Sequence, residues 1–566
     1  MSTGYGVAEA GRSGGSGGRG AFGASPASTD SGAEWSGTWV ARRLGLRMAA
    51  DENGIGPSFS TDVTAPHDGA ADLRGLVGLA LRRNPRRAHL LVSTVLGKHV
   101  PQLPELVHES GRALGVLVAA RLADDVGGAE VNGAGRVDAA LGSDGITPTD
   151  HGTPAAARTA VGSGLHHRPV VLGYAETATG LGHCVAEMVA GATYLHSTRR
   201  PVAGVEPLGG FEEEHSHATS HLLLPEDPTL LSGHGPLVLV DDELSTGRTV
   251  LNTIAEIHAV APRSRYVIAS LIDVRTGADR AAMAAFAAEL GARVDVVALA
   301  SGVVTLPEDA LSRGQELVAA EEARGAAGRD AEGRLDAPGG GNDATRSSGA
   351  AVSGPVRASV FRLGLAWPAG LPDGGRHGFT PDHQARLDAA LPALGAQAGV
   401  ALAGARRVLV LGFEELMYVP LRLARALADA LPEAEVRYST TTRSPVLAVD
   451  DPGYAIRTRL DFPAHDDPAD GPGPRYAYNV DPGADAARRF DTIAVVVDST
   501  ADTAALHADG GLVDRLAGVT DRVAVVVVPS YVPASAPPRT SAVATAPAGA
   551  LPDVPESAVP DREVAI

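Results

Sequence analysis

The sequence predicts an α/β protein with a parallel sheet flanked by helices in a first block and a second α/β block after a linker. Two observations predict it. Short apolar runs alternate with helix-length segments through both blocks. At 566 residues the chain is also too long for a single core, and biased small-residue tracts divide it.

In the first block, residues 36–320, strands are expected at Ala88–Thr94, Pro169–Tyr174, Pro236–Val240, Arg265–Ile272 and Arg293–Ala298. Each is a short apolar run of the kind a sheet covered on both faces requires. Helices are expected at Ala71–Arg83, Glu109–Ala123, Leu181–Ala192, Thr249–Val260 and Gly277–Leu290. In the second block, residues 358–530, strands are expected at Arg407–Gly412, Glu435–Tyr438, Thr492–Asp498 and Arg522–Val528, and helices at Met417–Leu431 and Thr503–Ala517. Residues 1–35 are rich in Gly and Ser, 125–165 in small residues, and 531–566 in Ala, Pro and Ser, so these tracts are expected to be disordered. Residues 321–357 read as a linker between the blocks.

The net charge of −19 argues against nucleic-acid and membrane-surface partners, which call for basic patches. A single cysteine, Cys184, leaves neither an intramolecular disulfide nor a cysteine-based metal cluster. No apolar run approaches the roughly 18–20 residues of a membrane span. The N-terminal segment lacks the apolar stretch of a signal peptide, so a cytoplasmic protein is expected. Lys98 is the only lysine against a background of arginine. A compact ammonium differs from a planar guanidinium, which makes Lys98 a candidate for a role arginine cannot fill.

The most informative stretch is Leu237-Val238-Leu239-Val240-Asp241-Asp242-Glu243-Leu244-Ser245-Thr246-Gly247-Arg248-Thr249. An apolar run ends in adjacent carboxylates, and a small hydroxyl-rich turn then opens a helix. Ligands in α/β sheets bind beyond the carboxyl ends of strands, and helix N-termini bind phosphate. The bland alternative is an acidic turn with a capping hydroxyl. A second strand-turn-helix, Val170 to Gly182, presents Glu176, Thr177 and Thr179. In the second block, Glu414 follows a strand, and Thr442-Arg443-Ser444 groups hydroxyls with a guanidinium, a combination suited to anions.

The Asp241 stretch resembles the phosphoribosyl pyrophosphate (PRPP) motif of type I phosphoribosyltransferases. With Val92–Pro101 and Gly173–Gly182, it resembles the orotate-type enzymes encoded in bacterial tellurite-resistance (Ter) stress operons. Thr442-Arg443-Ser444-Pro445 is similar to the signature of the TRSP domain found with those enzymes. The resemblance implies phosphoribosyl transfer from PRPP to a nitrogenous base or similar acceptor, with Mg²⁺ and release of pyrophosphate, in a stress-linked nucleotide-like pathway. Asp241, Asp242 and Lys98 would be catalytic. Glu243, Ser245, Thr246, Gly247, Arg248, Thr249, Glu176, Thr177, Thr179, Arg199 and Arg200 would bind PRPP. Mg²⁺ would sit near Asp241 and Asp242, held through PRPP and water rather than by a dedicated protein cage. The resemblance places a mobile lid loop at His215 and His217; the family's loop carries lysine and histidine, and this one has no lysine. With Glu214 and His221, those histidines also have the donor types of a metal site. Glu414, Thr442, Arg443 and Ser444 would form a second ligand site or belong to a docking module. A homodimer and other proteins of a Ter-type operon are the implied partners. The alternative reading is a non-catalytic PRPP sensor or scaffold.

Overall fold

The computed structural model describes residues 34–50, 69–84, 87–123, 168–211, 221–335, 358–466 and 473–533. The first block runs α1 (Thr38–Leu44), β1 (Arg47–Ala50), α2 (Gly69–Leu76), β2 (Val77–Asn84), β3 (Arg87–Ser93), α3 (Pro104–Ala123) and β4 (Val170–Gly173). It continues with α4 (Thr179–Met188), β5 (Thr193–His196), β6 (Gly209–Phe211), β7 (His221–Leu223), β8 (Leu237–Leu244) and α5 (Arg248–Val260). It closes with β9 (Arg265–Asp273), α6 (Gly277–Leu290), β10 (Arg293–Thr305) and α7 (Ala310–Leu335).

Its main sheet has the order β1-β10-β9-β8-β4-β5, parallel except for β1 at one edge. All nine residues of β9 are buried, as expected for an inner strand covered on both faces. In β8 the burial stops at Val240, and Asp241, Asp242 and Glu243 emerge partly exposed. The carboxyl ends of β4 and β8 therefore lie side by side, with Gly173 in register with Val240.

The second block comprises β11 (Ser359–Leu363), α8 (Pro381–Ala401), β12 (Arg407–Gly412), α9 (Tyr418–Ala430), β13 (Glu435–Thr440), β14 (Arg459–Pro463) and β15 (Pro474–Tyr478). It ends with β16 (Thr492–Asp498), α10 (Ala504–His507), α11 (Leu512–Ala517) and β17 (Arg522–Val528). Its sheet, β11-β17-β16-β12-β13, is wholly parallel, and β14 and β15 form a separate antiparallel ribbon.

The two blocks share one apolar core. Helix α9 packs on α3 and α4 of the first block as well as on its own sheet. Backbone bridges join the blocks at Gln102–Tyr438 and Tyr194–Phe379. Apolar burial supplies most of such cohesion.

Four expectations need correction. Ala71–Arg83 is helical only to Leu76 and then becomes β2. The predicted strand at Ala88–Thr94 is β3, but it pairs antiparallel with β2 outside the main sheet. A short apolar run has no decisive period, and pairing with a neighbour settles its state. The predicted helix Thr503–Ala517 is two short helices, interrupted where Gly510 takes φ 75°. Helix α7 extends through residue 335, well into the predicted linker, because that segment is rich in Ala, Glu and Arg.

Candidate functional site

Strand β8 delivers Asp241 and Asp242 to the edge of the main sheet, and the chain turns through Ser245–Gly247 into α5. Gly247 occupies the helix N-cap at φ 79°, and a Cβ there would lie 2.8 Å from Met283 Cε. Only glycine accommodates both the conformation and the contact. Gly247 has no side chain to cap α5, and the Arg248 amide donates instead to Thr246 Oγ1 at 3.4 Å, so the turn gathers hydroxyls at a helix N-terminus, a setting suited to an anion.

The loop after β4 meets this turn directly. Thr177 Oγ1 donates to Asp241 Oδ1 at 3.0 Å, and the same oxygen accepts from the Asp242 amide at 3.0 Å. Arg87, from the antiparallel ribbon, reaches Ser245 Oγ at 3.4 Å. Glu243 is part-buried; desolvation, and then the charge of Asp242, push its carboxyl above the ordinary value.

Glu176 points the other way. Its Oε1 lies 2.6 Å from Arg443 Nε, and its Oε2 accepts from Thr442 Oγ1 at 3.2 Å and lies 3.9 Å from Lys98 Nζ. Arg443 also donates to Glu414 Oε2 at 2.7 Å, and Arg475 Nε donates to Glu414 Oε1 at 2.5 Å. Glu414 is fully buried at φ 38°, an uncommon conformation for a residue with a side chain. The residues read as a second site, Glu414, Thr442 and Arg443, therefore converge on the first through Glu176. The Ser444 amide donates to Thr442 Oγ1 and fixes that turn.

Lys98 is held in this cluster by its neighbours. Gly97, at φ 76°, lies so close to Tyr438 that a Cβ would meet the ring at 2.6 Å. The His99 carbonyl accepts from Asn479 Nδ2 at 2.9 Å. Lys98 is thereby clamped between the blocks with 6 % of its surface exposed.

Other expected site residues are engaged elsewhere. Arg200 bridges Asp498 at 3.1 Å and Asp466 at 3.3 Å and stacks over Phe413, tying the two blocks together. The Arg199 amide donates to Glu415, and its guanidinium meets His221 Nε2 at 3.4 Å. Thr179 is buried and donates to the Glu176 carbonyl, shaping the loop from within. Asp273, at the carboxyl end of β9, accepts from Arg275 Nε at 2.9 Å and Nη2 at 2.7 Å. Thr246 Oγ1 accepts from the Arg248 amide, and the Thr249 carbonyl accepts from Thr253. His215, His217 and Glu214 lie outside the described residues.

Sequence reasoning missed a second interblock cluster around Glu187 in α4. Glu187 Oε1 meets His108 Nε2 at 2.7 Å, Tyr418 Oη at 2.5 Å and Arg422 at 3.2 Å. Arg425 donates to His108 Nδ1, so that nitrogen carries no proton and the ring is a neutral donor through Nε2. Burial pushes the imidazole below its usual range, against the pull of Glu187. Burial alone would raise the Glu187 carboxyl; His108, Arg422 and the Tyr418 hydroxyl outweigh it and hold it well below the ordinary range. His108, Cys184 and Glu187 are near enough to share a metal ion, but Arg112 and Arg422 bordering Glu187 oppose a cation there. A carboxyl depressed in the folded state contributes stability above its unfolded value and loses it as pH falls. Thermal melts are therefore expected to show wild type above Glu187→Gln at pH 7 by about 3 kcal/mol. The difference should shrink as pH falls below 4.5, the ordinary value for this group. A pH-independent difference would remove Glu187 from this role.

Residues 76–303 match a family model described as phosphoribosyl transferase, and residues 373–516 match the TRSP domain, described as C terminus to PRTase_2. The chain carries a phosphoribosyl transferase domain followed by a TRSP domain. The transferase domain has an α/β fold, a largely parallel sheet with flanking helices. Solved structures similar to this chain include an adenine phosphoribosyl transferase from Trypanosoma brucei at 15% identity, TM-score 0.18, covering 24% of this chain and 56% of that one. Another is the adenine phosphoribosyltransferase of Rhodothermus marinus at 16% identity and TM-score 0.23, covering 41% of this chain and 98% of that one. The enzyme from Giardia lamblia gives 14% identity and TM-score 0.24, with 41% and 96% covered. No curated protein matches the chain. Both Glu176–Arg443 and Thr442–Glu176 thus join the transferase domain to the TRSP domain.

Proposed function

We propose that the chain transfers the phosphoribosyl group of PRPP to a nitrogenous acceptor and releases pyrophosphate. The observation that carries this reading is the turn in which Asp241 and Asp242 stand beside the glycine-led start of α5, with Thr177 of the adjacent loop bonded to Asp241. In this reading the amides and hydroxyls of Thr246–Thr249 hold the terminal phosphate, and Asp241 and Asp242 accept from the ribose hydroxyls. Carboxylates of this kind, part-exposed at a strand end, also suit a Mg²⁺ that keeps its waters and shares ligands with substrate phosphates. When bound, the ion would offset charge on the leaving pyrophosphate.

The aspartates favour positive charge developing on the ribose. Lys98 and Arg443 supply cationic groups near the loop expected to meet pyrophosphate, an electrostatic role of the kind that dominates such transfers. Glu176 holds both of them in place. A stress-linked nucleotide-like pathway, Ter-type partners, an orotate-like acceptor, a homodimer and a cytoplasmic location stay part of this proposal. Among the described residues, no helix is long and apolar enough to cross a membrane.

The test is calorimetric titration of PRPP with and without Mg²⁺, followed by a pyrophosphate-release assay across candidate bases. Mg²⁺-dependent binding with release for one base is the expected result. Binding without release for any base would favour the sensor reading, and no binding would overturn the PRPP assignment.

A further inference from the structure

A cavity of about 260 Å³ lies at the opposite edge of the TRSP sheet from Glu414 and Thr442, where β12 and β13 begin. The transferase domain contributes Val100 and Pro101 to its wall. Arg407, Arg437, Arg457 and Arg488 all line it. Their side chains are between 20% and 28% exposed, so the charges are neither sealed in nor fully solvated.

Few carboxylates answer them. Glu435 takes Arg407 Nε at 2.8 Å and Arg437 Nε at 2.6 Å. Asp450 takes Arg457 at 2.5 Å and lies 4.0 Å from Arg488. Asp485 also acts on Arg488 from nearby. None of these acids lines the cavity, so the ionic groups that face it are guanidiniums. Burial, followed by the charge of Arg457, lowers the Arg488 guanidinium below its ordinary value. An additional anion would relieve that repulsion.

The arrangement is preorganised. Asn479, at φ 58°, donates through Nδ2 to the carbonyls of His99 at 2.9 Å and Ala455 at 3.0 Å. That fixes its Oδ1, which accepts from the Arg457 amide at 2.8 Å and Arg488 Nη2 at 2.9 Å. Planar guanidinium groups present paired donors that match phosphate oxygens.

We propose that this cavity is a binding site for a phosphorylated small molecule, separate from the Asp241 turn. Its volume lies just below the usual range of ligand pockets, about 300–1,000 Å³, which restricts it to a small ligand such as a phosphate monoester of a few carbons. The proposal does not depend on phosphoribosyl transfer at Asp241.

The experiment is equilibrium binding of glycerol 3-phosphate, and separately of inorganic phosphate, to the full chain. Thr246→Val with Thr249→Val removes the hydroxyls of the other candidate phosphate site, and saturable binding is expected to persist in that variant. Adding Arg437→Gln and Arg488→Gln should weaken that binding at least about tenfold, since charged hydrogen bonds are lost. Arg437→Gln alone, at a part-exposed position, should weaken it in the same direction and guards against misfolding of the larger variant. Unchanged isotherms in the arginine variants, or no saturable binding of either probe, would overturn the proposal.

Discussion

Asp241→Asn combined with Asp242→Asn is expected to lower PRPP-dependent pyrophosphate release by about 10²–10³-fold or more, the size of loss seen when a single transition-state electrostatic contact is removed. The fold should survive. Asparagine keeps the Oδ1 that accepts from Thr177 and from the amide of residue 242. Both side chains emerge where the burial of β8 ends, so no packed volume changes. What disappears is negative charge beside the proposed ribose and metal position. Single-turnover release with wild type and variant, alongside thermal melts, separates chemistry from folding. An equal rate in the two proteins would remove Asp241 and Asp242 from the site whatever the rest of the domain does.

These aspartates were legible because several local signals coincide in one stretch. Leu237–Val240 is an uninterrupted apolar run, and its burial in β8 follows from that composition. Gly247 and the hydroxyls around it announce a turn and a helix start, and α5 begins one residue from its predicted position. Four strands of the second sheet were legible for the same reason; β11, with its burial pattern mostly exposed, was not. What local patterns cannot carry is pairing across the chain. Val77–Arg83 was read as helix because its state depends on β3 as partner. Thr442 and Glu176 stand 266 residues apart, and each alone reads as an ordinary polar loop residue. Only when the carboxyl ends of β4, β12 and β13 are brought together do two candidate sites become one. The surroundings of Arg200 were illegible for a matching reason: its carboxylate partners, Asp466 and Asp498, lie in a domain whose placement no local signal specifies.

Arg443→Met is the substitution that tests this merger, and its effect is expected to be large. Arg443 serves Glu176 and Glu414 together, and those side chains are 4% and 0% exposed. Removing the guanidinium leaves two buried carboxylates sharing fewer cations, a change that costs about 3–5 kcal/mol when one partner of a buried pair is lost. Lys98 cannot replace it, since of these two carboxylates it approaches Glu176, while Arg475 approaches Glu414 and also Asp466. The pH dependence gives the cause a signature. Burial, followed by the charge of Glu176, already raises the Glu414 carboxyl, while Arg443 pulls it down. Without Arg443 it should rise further. An acid whose folded pKa lies above its unfolded value destabilises the folded state as pH rises through that window and ceases to do so when protonated. The deficit of Arg443→Met relative to wild type should therefore be greatest at neutral and alkaline pH and shrink as pH falls toward 4.5. Arg443→Lys restores a charge without the fork that spans both carboxylates, so its stability and its pyrophosphate release should fall between the two. A deficit that does not change with pH would assign the effect to lost packing, and Glu176 and Glu414 would then not be joined through Arg443 in the way the geometry describes.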